Sequence, residues 1–276
     1  MNTKKILQVL AVSLTALISA QSYADNNSIS VDGSTTVGPI AKAFAEYYRE
    51  NNPSVNITIS ESGSGNGVKS LMNGSCNIAT MSRFMKAGEF KSCVEKSVLP
   101  VAHTVAYDGL AVIVNPQNKI SALSEKQIAD IYTGKITNWK ELGGEDAKIV
   151  VISRDSNSGT YETFNELVLK KAKIAKSAEY VGSNGQARSR VNSTKNAIAY
   201  VGLGFADSSV KALSVDGILP TPQTVATGKY PIARPLYMFT NGSPKMGSHL
   251  FNFVTLCLTP EGREIVTDLG FVAVCK

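Results

Sequence analysis

Apolar positions along this chain switch repeatedly between two periods. Val55, Ile57 and Ile59 alternate with polar residues, which predicts a half-buried strand. After Ser62, Gly63, Ser64, Gly65 and Gly67, the apolar positions become Val68, Leu71 and Met72 on one helix face. The segment ISVDGSTTVGPIAKAFAEYYRE has the same grammar, a strand, a hydroxyl-rich turn and a helix carrying Ile40, Ala43, Phe44, Tyr47 and Tyr48. Pro39 is tolerated in its first turn, and Ser34, Thr35 or Thr36 is available as an N-cap. NIATMSRF adds a short strand ending in Ser82 and Arg83. KIVVISRDSNSGTYETFNELVL repeats the pattern, passing from a β-branched run through Arg154 and small polar residues into an amphipathic stretch.

Strands and helices alternate without internal repeats, which predicts an α/β architecture. The length fits one large domain or two small ones. Two long apolar segments, residues 106–116 and 230–241, could each cross between lobes. If both do, residues 25–107 plus 237–276 form lobe I, residues 108–236 form lobe II, and the two crossings make a hinge.

The first 24 residues belong to a different category. Lys4 and Lys5 precede an apolar run, 6–20, and Ser22 and Ala24 mark a small-x-small cleavage site. The run is shorter than the ~20 residues of a membrane span, so the expectation is a signal peptide, residues 1–24, cleaved on export. No cysteine follows at once, which argues against a lipid anchor.

Cleavage removes two lysines and no acid, taking the formal charge from +6 to +4. The lysines are dispersed and no aromatic-interleaved basic motif occurs, so no nucleic-acid partner is expected. Four cysteines in an exported chain suggest two disulfides, with separation favouring Cys76–Cys93 and Cys257–Cys275 among three connectivities. Neither C-x-x-C spacing nor a histidine pair is present, and His103 and His249 read as structural or surface residues rather than metal ligands.

The joints between strands and helices carry the candidate chemistry. A helix start presents unpaired N–H groups and partial positive charge, glycine admits close backbone approach, and Ser or Thr adds neutral donors. Several such joints, with Arg154 as a bidentate cation, could form an oxyanion cage. Each joint alone could instead be simple capping, and Arg154 could pair with Asp155 on the surface. Enzyme signatures fail. GSGNGVKS resembles a phosphate-cradling P-loop, but Val68 stands where glycine is needed, and neither Ser64 nor Ser158 lies in G-x-S-x-G. No cofactor or catalytic group is indicated.

Taken together and in order, GSTTVGPIAKAF, ESGSGNGVKSLMNG, LSEKQIADIYTGKITNWKELGG, SRDSNSGTYETF and NAIAYVGLGF resemble the phosphate-binding periplasmic receptors of phosphate-specific ABC importers. The likeness covers nearly all of the chain after the leader. It implies a type II periplasmic-binding-protein fold, two α/β lobes joined by a two-strand hinge, and a periplasmic, non-enzymatic monomer delivering inorganic phosphate to an inner-membrane permease.

Position by position, the resemblance places Thr35, Thr36 and Ser64 at the anion, with Arg154 as the salt-bridging cation and Ser158, Gly159 and Thr160 as helix-start donors. Where some members have an aspartate that accepts the proton of hydrogen phosphate, this chain has Ser82 followed by Arg83. Arg83 could be a second cation or pair with a neighbouring acid. Asp108 could replace the acceptor or serve a turn. Sulfate, molybdate or tungstate are alternative ligands, an exported phosphatase or hydrolase is an alternative class, and Trp139 is expected to pack a helix.

Overall fold

The computed structural model describes residues 27–275. The predicted leader and its cleavage site lie outside them. Strands β1 (Ser28–Gly33), β2 (Asn56–Ser60), β3 (Ile78–Met81), β4 (Pro100–Val114), β5 (Ala122–Leu123), β6 (Val150–Arg154), β7 (Glu179–Val181), β8 (Ala197–Gly202), β9 (Lys211–Ala212), β10 (Ser214–Val215) and β11 (Ala233–Asn241) alternate with helices. The helices are α1 (Gly38–Asn51), α2 (Ser64–Met72), α3 (Ala87–Glu95), α4 (Glu125–Tyr132), α5 (Gly159–Leu167), α6 (Asn184–Asn192), α7 (Pro222–Ala226), α8 (His249–Thr255) and α9 (Pro260–Asp268).

One continuous hydrogen-bonded path runs β2-β1-β3-β11-β4-β8-β6-β7, with β9 added on β4. At one end β1, β2 and β3 pair in parallel, and at the other β6 pairs in parallel with β7 and β8. The two ends have separate cores. Ile29, Phe44, Ala106, Leu236 and Phe253 belong to one apolar cluster, while Leu110, Ile128, Trp139, Phe164 and Ile232 belong to another. The change of core falls between Ala106 and Leu110 on β4 and between Ile232 and Leu236 just ahead of and within β11. These antiparallel strands therefore carry the chain out and back between two α/β lobes, with Asp108 opposite Arg234 at the crossing. β4 begins earlier than the apolar run, at Pro100, because β11 pairs with its more polar first half as well.

Local sequence accounts for the helix starts. Ser124 and Gln127 form a reciprocal capping box on α4, and the Ser158 and Ser183 hydroxyls accept the N–H of Tyr161 and Gln186 at the starts of α5 and α6. In the first lobe Ser34 accepts from the N–H groups of Thr36 and Val37, which leaves the Thr35 and Thr36 hydroxyls for other work. Trp139 packs in the second core, and its indole N–H reaches Asn196 O at 3.0 Å.

The structure does not contain the two disulfides expected from cysteine spacing. Cys76, Cys93 and Cys257 are buried thiols and Cys275 an exposed one. The buried three pack as small apolar side chains, and burial pushes the Cys76 thiol up to about 12 and that of Cys257 to about 11.

Gly33 ends β1 with φ +133°, and a β-carbon there would stand 2.3 Å from Thr80 O. Both the left-handed backbone and the adjacent strand demand glycine. Gly33→Ala is expected to cost about 2–3 kcal/mol and lower the melting temperature by several degrees in differential scanning calorimetry. An unchanged melt would contradict this.

Candidate functional site

The ends of β1, β6 and β8 and the starts of α2, α5 and α6 meet between the lobes. Thr35, Thr36, Ser64, Ser82, Arg154, Ser158, Thr160, Asn184 and Arg234 are all buried there. The Thr36 and Thr160 hydroxyls, from opposite lobes, are 3.0 Å apart. Arg154 Nη2 donates to Thr35 Oγ1 at 3.4 Å, and Gly65 N donates across the interface to Asn157 O at 3.0 Å. Gly159 lies so close to the opposite wall that a β-carbon would stand 2.6 Å from Ser64 Oγ and 2.7 Å from Ser82 Oγ. Glycine lets the start of α5 come this near without displacing either hydroxyl.

The electrostatics of this cluster are one-sided. Arg154 is 2% exposed, and among the described residues no carboxylate lies within ion-pair distance of it. Its Nε and Nη2 donate to Val181 O at 3.2 Å and Gly182 O at 2.8 Å, fixing the guanidinium, while Nη1 has no hydrogen-bond partner. Burial pulls its pKa down to about 10, still far enough up to keep it charged at neutral pH. A desolvated, uncompensated cation is costly unless an anion completes it.

A second guanidinium lies beside the first. Arg234 donates through Nε (3.1 Å) and Nη2 (2.8 Å) to Asp108 Oδ2 and through Nη2 to Thr160 Oγ1 at 3.1 Å, and its Nη1 also lacks a partner. The two arginines are close enough that Arg234 helps to depress the Arg154 pKa. With one carboxylate for two guanidiniums, the cluster carries one excess positive charge.

Of the residues singled out from sequence, Thr35, Thr36, Ser64, Ser82, Arg154, Gly159 and Thr160 converge on this cluster. Ser158 joins it through the backbone, its hydroxyl being used as the cap of α5. Arg83 turns away. Its stem flanks Gly159, but its head donates to both carboxylate oxygens of Glu89 at 2.8 and 2.7 Å and pairs through Nε with Glu162 of the second lobe. Lys86 joins Glu162 as well. This inter-lobe ion-pair group borders an outer cleft of about 560 Å³. Asp108 is committed too, Oδ2 to Arg234 and Oδ1 to the N–H of Leu203 at 2.8 Å.

Asn184 and Arg234 escaped the sequence reading. Asn184 begins a helix after a strand and a Gly-Ser turn, the same joint as the others without a threonine. Arg234 and Asp108 are single opposite charges in the two apolar crossing segments, a pairing that the charge pattern itself could have exposed. Among the described residues no group of three or more His, Cys, Asp or Glu could hold a metal ion.

A family model described as a PBP superfamily domain matches residues 19–257. A phosphate-binding protein PstS from Borreliella burgdorferi is 32% identical over 98% of this chain and 99% of its own. Its counterpart from Bacillus subtilis is 34% identical over 90% of this chain and 81% of its own. A Clostridium perfringens crystal structure, described as a phosphate ABC transporter substrate-binding protein with bound phosphate, superposes with a TM-score of 0.84 at 37% identity, covering 90% of this chain and all of that one. The chain belongs to the PBP superfamily, whose members of this kind are two-lobed solute receptors, and within it to the family of PstS phosphate-binding proteins.

The Arg83–Glu89 pair gives the site an acid-sensitive flank. Burial alone would raise the Glu89 pKa, but the hydrogen bonds from Arg83, the N–H of Lys86 and the charges of Arg83 and Lys86 outweigh it and hold the carboxyl below its usual value. Its contribution is therefore complete above the ordinary glutamate pKa of about 4.3 and is lost as pH falls through the depressed folded value. Glu89→Gln should lower the melting temperature at neutral pH, with the difference from the parent shrinking in acid. A difference constant across that range would contradict it.

Proposed function

We propose that this chain captures inorganic phosphate between its lobes and delivers it, chemically unchanged, to the permease of an ABC importer in the inner membrane. Residues 25–107 plus 237–276 act as lobe I and 108–236 as lobe II, the crossing segments flex as the hinge, and residues 1–24 direct export to the periplasm, where the protein works as a monomer. Arg154, Thr35, Thr36, Ser64, Ser82, Gly159, Thr160 and the amides at the start of α5 hold the anion. Arg234 supplies the second cation, and Arg83 works at the rim with Glu162.

The observation that carries this reading is the buried Nη1 of Arg154, without a hydrogen-bond partner amid neutral donors. The relatives' names supply the ligand's identity. Charge-assisted hydrogen bonds contribute roughly 1.5–3 kcal/mol each, and micromolar binding requires about 8 kcal/mol, so a few such bonds suffice after desolvation. Donors from both lobes reach one small anion only when the lobes are together, so binding favours the closed state.

Titration calorimetry of the purified protein with phosphate tests the reading, with sulfate, molybdate and tungstate as competitors. Arg154→Ala is expected to weaken phosphate binding by about tenfold or more while circular dichroism shows the fold intact. Unchanged affinity would remove Arg154 from the site. Preference for another oxyanion, or release of phosphate from phosphate esters, would replace the proposed ligand or class.

A further inference from the structure

Asn184 is completely buried between the lobes, and its amide has only one possible orientation. The N–H of Gly202 donates to Oδ1 at 3.2 Å, and since a backbone amide can only donate, that atom must be the carbonyl oxygen. Nδ2 therefore faces the other way and donates to Thr35 Oγ1 at 3.0 Å and to Thr36 Oγ1 at 2.9 Å. Both of its hydrogens are used.

Each threonine oxygen thus receives a hydrogen bond that cannot be reversed. Thr35 Oγ1 accepts in addition from Arg154 Nη2, and Thr160 Oγ1 accepts at 3.1 Å the N–H of Arg234 Nη2 that the bond to Asp108 leaves over. Arginine, like a backbone amide, has no acceptor. One hydroxyl proton is consumed between Thr36 and Thr160. The proton of Thr35 and one from the Thr36–Thr160 pair remain, with their own oxygens already supplied with donors.

We infer that Asn184 is a specificity-determining residue which, locked by Gly202, forces the threonine hydroxyls to present protons to the anion. The threonine face of the site is thereby made of donors, and it favours anion oxygens that accept. Asp108, with both oxygens committed to Arg234 and Leu203, does not reverse that polarity. The inference rests on the phosphate reading above and adds the element that sets the polarity of its site.

Asn184→Asp tests it with nearly no change of shape. The new carboxylate would still accept from Gly202, but its second oxygen would accept from the threonines, turning their protons away from the anion and adding a negative charge. Phosphate affinity by calorimetry is expected to fall about 100-fold or more at neutral pH. The loss should shrink as pH is lowered and the carboxyl protonates, and taking the ratio of variant to parent at each pH cancels the ligand's own ionisation. Asn184→Ala, which frees the hydroxyls to rotate without adding charge, should lose less and show no such pH trend.

An Asn184→Asp variant that folds yet stays within about threefold of the parent, or a loss independent of pH, would overturn the inference. A parent that binds no phosphate would instead overturn the proposed function. Should Asn184→Asp not fold, neutron diffraction of the unmodified protein with phosphate decides: deuterium on Thr35 Oγ1 pointing to the anion is expected, and deuterium pointing to Asn184 would refute the assignment.

Discussion

A guanidinium held out of water without a carboxylate to neutralise it is the constraint on which this structure turns. Arg154 is fixed by two carbonyl oxygens of the β7–α6 joint and by the end of β6, while Tyr200 OH accepts its backbone N–H at 3.2 Å. Tyr200 is itself stacked on Phe164 of α5 with ring centroids 3.9 Å apart. The second core thus orients the cation, and its desolvation cost has no internal remedy. A built-in carboxylate would remove that cost, but it would also occupy the place of a ligand.

Around that cation the fold supplies neutral donors from both lobes. Because β4 and β11 carry the chain between the lobes side by side, the joints after β1, β2 and β6 can converge although they are distant in sequence. Asp108 and Arg234 sit where those strands change cores, so the second guanidinium is anchored on the hinge-forming pair itself. At the rim, Glu162 joins Arg83 and Lys86 across the lobes. In the proposed receptor, contacts to the anion and contacts between the lobes therefore favour the same closed arrangement.

Much of this was legible in the residues. The alternation of periods two and 3.6 identified the strands and helices around Thr35, Ser64 and Arg154, since each joint combines a strong local pattern with glycine and hydroxyl chemistry. The lone charges were harder. Arg83 lies just past the end of one strand and Arg154 ends another, and only the fold brings Glu89 and Glu162 to one and carbonyl oxygens to the other. Asn184 and Arg234 carry their meaning in partners far along the chain, Thr35, Thr36 and Asp108, which no local window contains. The cysteine spacing suggested bridges, whereas packing in the structure uses the buried thiols as small apolar groups.

The central claim is that a tetrahedral anion completes the two buried arginines. A crystal structure of the protein grown with phosphate tests it most directly. The account predicts tetrahedral density within hydrogen-bonding distance of Nη1 of both Arg154 and Arg234, enclosed by Thr35, Thr36, Ser64 and the start of α5. Phosphate bound elsewhere on the protein, with both Nη1 atoms facing only water, would contradict it.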